Sequence, residues 1–542
     1  MYGISMDIGT SGLRAHALDL KDGTIMSTAI TDRHPLPGGN VMDHLTFCVN
    51  MGVELAHNIV MSAANRLIAQ LGIDLGKVER VTVCGNPIQL SVFEGIEVRD
   101  LALAGENARR VHGIKLQDRN AHTVDACEVG LQVGEGAELL IPPAIKHEIG
   151  ADALAMLYKS GFLEQKKICM VTDYGTNAEM ALKVGDEIYT GSAAAGPAIE
   201  GQHIRHGRLA SPGAISDLEY EFHWRCKVLD ENLLPQDGDK IDLATGTIIE
   251  EGDMHGKAKG ITGTGVIALV SAAMENNLFR RPNIVTTTGY LKLQDGIVVD
   301  NHDVQEACKA FGAMRAGHFT LIEHAGISFA DLDRMYMCGA SGTYVDAIKA
   351  RDVGLLPPSA KNIEQIGNTS LALATDLVRD PELLDELQAV ANEIRANHVM
   401  FATDKVFETI YIQELAYWEE GMSIEKYNDN LREEGIQPLP GFQKSPNVER
   451  KVERDIPVLG AGGLRIVKDT GMILQGHFEG CTRCRQCEKE CPENVLTVGE
   501  GKPPLITIKT SGCLGTACYR CQLRCPEKVF DYSALELKEY GG

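Results

Sequence analysis

A chain of 542 residues is too long for one hydrophobic core and should divide into several domains. Its 75 acidic against 52 basic residues give a net charge of −23, which argues against nucleic acid or an anionic membrane surface as the main partner. No apolar stretch approaches the ~20 residues that span a bilayer, and the start MYGISMDIGT lacks a basic region followed by an apolar one, so the expected location is cytoplasmic.

From residue 1 to about 435, short β-rich runs alternate with amphipathic helical stretches, as at Gly3–Ile8, Val78–Cys84, Ile168–Thr172 and Met335–Cys338. That alternation predicts an α/β architecture. The first strand ends at Asp7 and runs into Gly9-Thr10-Ser11-Gly12, then Leu13-Arg14. An acid closing a buried strand can hold hydrated Mg²⁺, and the tight turn after it offers N–H and hydroxyl groups to phosphate oxygens. The pattern recurs at Met170–Glu179, with Asp173, Gly175, Thr176 and Asn177, and two such hairpins can face each other across a cleft. Between about 218 and 253 the periodicity weakens into an acidic, turn-rich stretch containing LPQDGDK, read as a surface insertion. Gly263-Thr264-Gly265-Val266 then precedes a helix, and Gly339-Ala340-Ser341-Gly342 follows an apolar run. None of these turns carries a Walker-type G-x4-G-K-[ST] sequence, so a P-loop is not the competing explanation. Any one of them could be an ordinary capped turn; the signal is the four in order.

Residues 373–434 read as acidic helices with a solvated face, opened near Asp380-Pro381 and stopped at Glu433-Glu434-Gly435. The expected domains are therefore 1–436, a linker at 437–457 where prolines and mixed charge replace periodicity, and a small domain at 458–542. That last domain holds eight of the 15 cysteines. The other seven are scattered without paired spacing and are expected to be buried, reduced thiols.

The eight form two runs: Cys481, Cys484, Cys487, Cys491-Pro492, and Cys513, Cys518, Cys521, Cys525-Pro526. The first has the C-x2-C-x2-C-x3-C-P spacing of bacterial two-cluster ferredoxins, in which the fourth cysteine ligates the other cluster. Two such runs imply two [4Fe-4S] clusters, one on Cys481, Cys484, Cys487 and Cys525, the other on Cys513, Cys518, Cys521 and Cys491. The second run opens with four intervening residues, which makes Cys513 its least secure ligand. A pair of structural zinc sites is the alternative, although zinc requires neither the third close cysteine nor the repeated Cys-Pro ending. Arg483, Arg485, Arg520 and Arg524 lie among the ligands and either steer an acidic partner or form a solvated basic face. His203 and His206 are expected to make ordinary polar contacts rather than to bind metal.

The four glycine turns resemble, in order, the phosphate-1, phosphate-2, connecting and adenosine motifs of the acetate kinase, sugar kinase, Hsp70 and actin superfamily. The resemblance implies a two-lobed, actin/Hsp70-like ATPase followed by a small α+β ferredoxin-like domain. It further implies that Asp7 and Asp173 hold Mg²⁺ through water, that Thr10, Ser11 and Thr176 meet the phosphates of ATP, and that Gly339 to Gly342 lie against the adenosine. Over nearly its whole length the chain is similar to the corrinoid-activating ATPase family, through MDIGTSGLR, TDYGTNAEM and both cysteine runs. Supporting segments are Ala195–Gly201, Gly207, Gly213-Ala214-Ile215 and Cys84-Gly85-Asn86. Many relatives place a [2Fe–2S] domain before the ATPase; the C-terminal cysteine domain here fits the methanogen subgroup that serves methylamine methyltransferases.

An ATP-splitting clamp and an electron carrier on one chain suggest hydrolysis that drives an unfavourable reduction. Each ~59 mV of adverse potential lowers a one-electron equilibrium tenfold, and ATP can act only through conformation. The resemblance implies an iron-sulfur oxidoreductase that returns inactive Co(II) corrinoid proteins to Co(I), with a low-potential donor such as a ferredoxin. The rival readings are a ferredoxin-fused small-molecule kinase, an activator of a radical dehydratase, and an actin-like or chaperone-like partner with no redox role.

Overall fold

The computed structural model describes residues 1–103, 106–145, 149–175, 177–193, 198, 201, 203–394, 396–468 and 470–538. The chain forms two compact units: Met1–Asp152 with Leu373–Asn392 and Leu459–Gly542, and Ala153–Ala372 with Glu393–Val458.

In the first unit the strand Tyr2–Ile8 lies in the middle of a seven-stranded sheet. It pairs antiparallel with Leu13–Asp19, which pairs antiparallel with Thr24–Thr31; on its other side it pairs parallel with Val78–Gly85. Ser5 is as deeply buried as Ile4 and Met6, because helices cover both faces and the usual in-out alternation disappears. One cover is the end of the helix Thr369–Arg379, whose Leu373, Ala374, Leu377 and Val378 are fully buried. It seats closely because Gly3 has no side chain: a Cβ there would fall 2.3 Å from Val378 Cγ1. Arg80 and Thr82 donate to the carbonyls of Val378 and Ala374, and the Ser5 and Thr375 hydroxyls meet at 2.9 Å.

The second unit repeats this wiring. Cys169–Tyr174, Ala178–Val184 and Glu187–Ala193 form an antiparallel meander, and Arg334–Cys338 and Asn362–Gly367 continue the sheet in parallel from its first strand. Behind it the helix Asn301–His324 packs against Lys405–Glu419, with a buried pair between them. Arg315 makes two 2.7 Å bonds to Glu414, which also accepts from the Tyr427 hydroxyl.

Three sequence expectations need revision. Residues 218–253 are not a turn-rich insertion: Ala214–Tyr220, Trp224–Leu229, Pro235–Ile241 and Ile248–Glu250 form successive antiparallel strands. Their charges hid the alternation by pairing across strands, Lys227 with Glu219 and Asp237, and Arg225 and Lys240 with Glu221 and Glu250. The stretch 437–457 is not free chain, since Asn447–Arg450 pairs parallel with Asn362–Gly367 at the sheet edge. Its four side chains are exposed, so only backbone bonds hold it and no apolar pattern appears. The helices of 373–434 divide between the units and present a buried face as well as an acidic one.

After Leu459 the chain returns to the first unit. Gly462 and Gly463 bond to Met26 and Thr28, and Leu464–Val467 adds a parallel strand beside Thr24–Thr31. A four-stranded antiparallel sheet follows, ordered Leu496–Gly501, Pro504–Lys509, Ile473–His477 and Glu536–Leu537, over a core of Leu474, Val498, Ile506, Ile508 and Phe530. Among the described residues no helix is long and apolar enough to cross a membrane.

Candidate functional site

In the first unit Asp7 is buried at the end of its strand, opposite Arg14 in register, and Arg14 Nη1 lies 3.3 Å from Asp7 Oδ2. The turn between them is closed by the Gly9 N–H donating to the Gly12 carbonyl at 3.1 Å. Thr10 Oγ1 accepts from Asn86 Nδ2 at 3.3 Å, and Asn86 also caps the helix Pro87–Glu94 through its Oδ1. The sequence singled out Asn86 only as part of a matching segment; its place at the end of Val78–Gly85, parallel to the Asp7 strand, brings it to the turn. Ser11 is buried in the same turn. The result is an acid, two hydroxyls and a glycine turn at one strand end.

In the second unit Asp173 ends its strand opposite Glu179, and Cys338 lies beside it in the parallel register. The chain then turns at Gly339, whose φ of +82° is a left-handed value that favours glycine. A Cβ on Gly339 would fall 2.3 Å from Asp173 Oδ1, and one on Gly342 would lie 3.3 Å from the Tyr174 ring. Asp173, Gly175 and the turn Gly339-Ala340-Ser341-Gly342 thus converge, although 160-odd residues of chain separate them. Asn177 follows in the same hairpin; Thr176 lies outside the described residues, as do all of Ala195–Gly201 except Ala198 and Gly201. Gly263, Thr264 and Gly265 open the helix Gly263–Glu275 and are buried. Their polar groups face inward: Gly265 N–H donates to Thr262 Oγ1, and the Thr264 hydroxyl donates to the Ser216 carbonyl. His203 is exposed, and His206 contributes its backbone carbonyl to Ile261.

The cysteine runs are two copies of one turn. Arg485 and Tyr519, each after a cysteine, take φ of 56° and 47° and start the short helices Gln486–Lys489 and Arg520–Leu523. Asn494 and Lys528, each three residues after a Cys-Pro cysteine, take φ of 53° and 54°. Left-handed residues thus turn the backbone at equivalent points of both runs.

The thiols' neighbours follow from what raises them. Burial pushes the Cys487 thiol up to about 11, and its neighbours Cys481, Cys484 and Cys525 add to the shift. Burial raises Cys521 to about 12, with Cys513, Cys518 and Cys487 as neighbours. Burial also raises Cys513, which adjoins Cys491 and Cys518. Cys525 thus lies near Cys487 of the first run and Cys491 near Cys513 of the second, so each Cys-Pro cysteine reaches the other run. Cys491, Cys513, Cys518 and Cys521 line one cavity with Val495, Leu496, Ile508 and Tyr532. Thiols so enclosed stay protonated unless a cationic group holds them, and four converging sulfurs suit an iron-sulfur cluster. All 15 cysteines are free; of the seven elsewhere six are buried, but Cys127 is exposed on the short turn Ala126–Val129.

Arg485 pairs with Glu488 at 3.6 Å, Arg524 pairs with Glu490 of the other run at 3.7 Å, and Arg520 is exposed. Two features lay beyond the motifs. Tyr532 places its hydroxyl 3.4 Å from Cys513 Sγ. The segment after Thr31 packs on the second run: Gly38 N–H donates to the Cys513 carbonyl at 2.8 Å, and Asn50 Nδ2 lies 3.4 Å from the Tyr519 hydroxyl. A lone tyrosine and a loop contact have no periodic or spacing signature.

The duplicated sheets, each ending its first strand in an aspartate beside a glycine turn, define an ASKHA-type protein. Residues 167–428 match the family model described as the C-terminal domain of RACo, the ASKHA domain, and residues 2–165 match the RACo middle region. The chain belongs to the family of the Co(II) methylated amine-specific corrinoid protein reductase of Methanosarcina barkeri, with 48% identity over 95% of this chain and 96% of that protein. It is 26% identical to the corrinoid activation enzyme RamQ of Eubacterium limosum, over 76% of this chain and 70% of that one. Among solved structures, a reductive activator for corrinoid, iron-sulfur protein shares the fold, with a TM-score of 0.64 and 22% identity, over 76% of this chain and 65% of that one.

Proposed function

We propose that this chain uses ATP hydrolysis to reduce the inactive Co(II) form of the corrinoid proteins of methylamine methyltransferases to Co(I), sustaining methyl transfer to coenzyme M in methanogenesis. The observation that carries the reading is the 48% identity, along 95% of the chain, to a protein named for that reduction. The duplicated fold supports ATP as the nucleotide. Asp7 and Asp173 would hold Mg²⁺ through water. Gly9, Thr10, Ser11, Gly175, Thr176 and Asn177 would receive phosphates, and Gly339, Ala340, Ser341 and Gly342 would bear on the adenosine, with Gly263, Thr264 and Gly265 supporting them from their helix. Arg14 orients the Asp7 carboxylate.

The two crossed cysteine sets would each hold a [4Fe-4S] cluster in a ferredoxin-like domain, and clusters bound there supply one-electron transfer at low potential. The basic side chains near the exposed Cys484 suit an acidic donor such as a ferredoxin. A cytoplasmic location is consistent with the reduced cysteines.

The test is anaerobic. The reduced protein, Mg-ATP and a Co(II) corrinoid subunit are mixed and the visible spectrum is followed. The Co(I) spectrum should develop only with ATP; its absence, or its equal growth without ATP, would sink the proposal. Iron and zinc analysis of the same preparation decides between clusters and zinc.

A further inference from the structure

The two cysteine sets share a backbone turn but not their surroundings. In the first, Cys484 is exposed. In the second, four part-buried cysteines line one cavity with Val495, Leu496, Ile508 and Tyr532, and with Glu493 and Arg520 at its lining. Among the described residues, Cys513 is the one ligand cysteine whose sulfur meets a side-chain hydrogen-bonding group, the Tyr532 hydroxyl at 3.4 Å. It also accepts from the Gly515 N–H at 3.3 Å. A metal-bound sulfur has no proton, so the phenol is the donor. Tyr532 is held for this role: it is 1% exposed, its N–H donates to Gln522 Oε1 at 2.8 Å, and its ring meets that of Tyr519 edge-on at 5.8 Å. Gln522 belongs to the helix that opens between Cys518 and Cys521, so the tyrosine is fastened to the run it serves.

Two effects compete at such a site. Reduction adds negative charge, which an enclosed, apolar setting disfavours and which hydrogen bonds to the sulfurs favour. Of the two sets only the first has an exposed cysteine, Cys484, so without a compensating donor the second would be the harder to reduce and an electron arriving at Cys484 would stay with the first.

We propose that Tyr532 is a positioning residue which, by donating to the Cys513 sulfur, raises the reduction potential of the group held by Cys491, Cys513, Cys518 and Cys521 and so keeps it reducible from the exposed set. This rests on the two-cluster reading given above. The step moves one electron: the first set's group is oxidised, the second's is reduced, and no bond or proton changes place. Raised potential here, rather than at the exposed set, gives the internal transfer a direction.

The test compares the full chain, Tyr532→Phe and Tyr519→Phe, each reconstituted anaerobically, by EPR-monitored redox titration. Tyr532→Phe keeps the ring and removes the donor. One of the two midpoints should fall, by a three- to tenfold change in the reduction equilibrium, tenfold being ~59 mV for one electron. The other midpoint should hold. Tyr519→Phe removes a neighbouring hydroxyl that does not reach the sulfur and should move neither. Unchanged midpoints in Tyr532→Phe, or both shifted alike, overturn the inference while leaving the two-cluster reading intact. A native protein lacking two reducible centres overturns that reading itself. Should Tyr532→Phe lose its second centre on purification, fluorotyrosine at position 532, a stronger donor, should raise the same midpoint; no rise overturns the inference.

Discussion

Replacing Gly339 by alanine should disable nucleotide hydrolysis without unfolding the protein, and the structure gives the size of the effect. Two penalties combine at this position. The φ of +82° is left-handed, worth ~1–2 kcal/mol for a residue with a Cβ. The new Cβ would also stand 2.3 Å from Asp173 Oδ1, and reaching an ordinary 3.4 Å contact requires the carboxylate to move by about 1 Å. A misplacement of ~1 Å at a reacting centre can lower a rate by about 10²-fold. Gly185→Ala separates the two penalties: its φ of +62° carries the same kind of strain, but nothing lies within 4 Å of its Cβ. Both variants should melt lower than the native chain, Gly339→Ala by more because it carries the clash as well as the strain. Gly185→Ala should keep its Mg-ATPase rate, and Gly339→Ala should lose about 10²-fold of it. A folded Gly339→Ala enzyme hydrolysing ATP at the native rate would refute the placement of Asp173 in the reaction.

Cys513→Ser should remove one of two EPR-visible centres and about half the iron while the other centre stays; unchanged iron would exclude Cys513 as a ligand. Glu414→Ala leaves the Arg315 guanidinium buried and uncompensated, and should destabilise the second unit by ~3–5 kcal/mol in urea unfolding, with Arg315→Met added to Glu414→Leu recovering most of the loss. Burial lowers His318 to about 3, below its unfolded value of 6.5, so between those values the unfolded chain binds the extra proton. Stability is then full above pH 6.5 and lost as pH falls toward 3, and His318→Gln should reduce the slope near pH 5 by ~1.4 kcal/mol per pH unit, read from unfolding curves across that range.

The chemistry was easier to read in the sequence than the architecture that holds it. The Asp7 and Asp173 hairpins were visible because an apolar run, an acid and a glycine turn are contiguous in the chain. The cysteine runs were visible because ligand spacing is local. Contacts that join distant segments left no such trace. Nothing near Gly3 announces that Val378 will fill the space above it, and nothing in residues 373–392 says that they belong with the first unit. The strands of 214–250 were missed because Lys227 and Arg225 alternate with Cys226 and Val228 in the manner of a surface strand, while the acids that pair with them made the stretch look like loop. Asn447–Arg450 was missed for the opposite reason: a strand held by backbone alone needs no particular side chains. Tyr532 could be found only from its position against a sulfur.

The attachment of the cysteine segment changes what the redox half can do. A 21-residue free linker at 437–457 would let a redox domain swing between donor and acceptor, its reach set by chain statistics. Instead the chain is stitched to the first unit both before and after the cysteines begin. Gly462 and Gly463 bond to Met26 and Thr28, the Asp32 N–H donates to the Val467 carbonyl, and the Thr470 hydroxyl donates to the Arg33 carbonyl. Gly38 then holds the Cys513 carbonyl directly. The strand Thr24–Thr31 that receives this attachment also grips the turn after Asp7, for Thr31 Oγ1 accepts the Leu13 N–H at 2.8 Å and Gly12 has no side chain to displace it. Within one unit, then, the Asp7 turn and the Cys513 loop hang from neighbouring points of the same strand and its continuation. A displacement of that strand would therefore carry the Cys513 loop with it, without a diffusing domain.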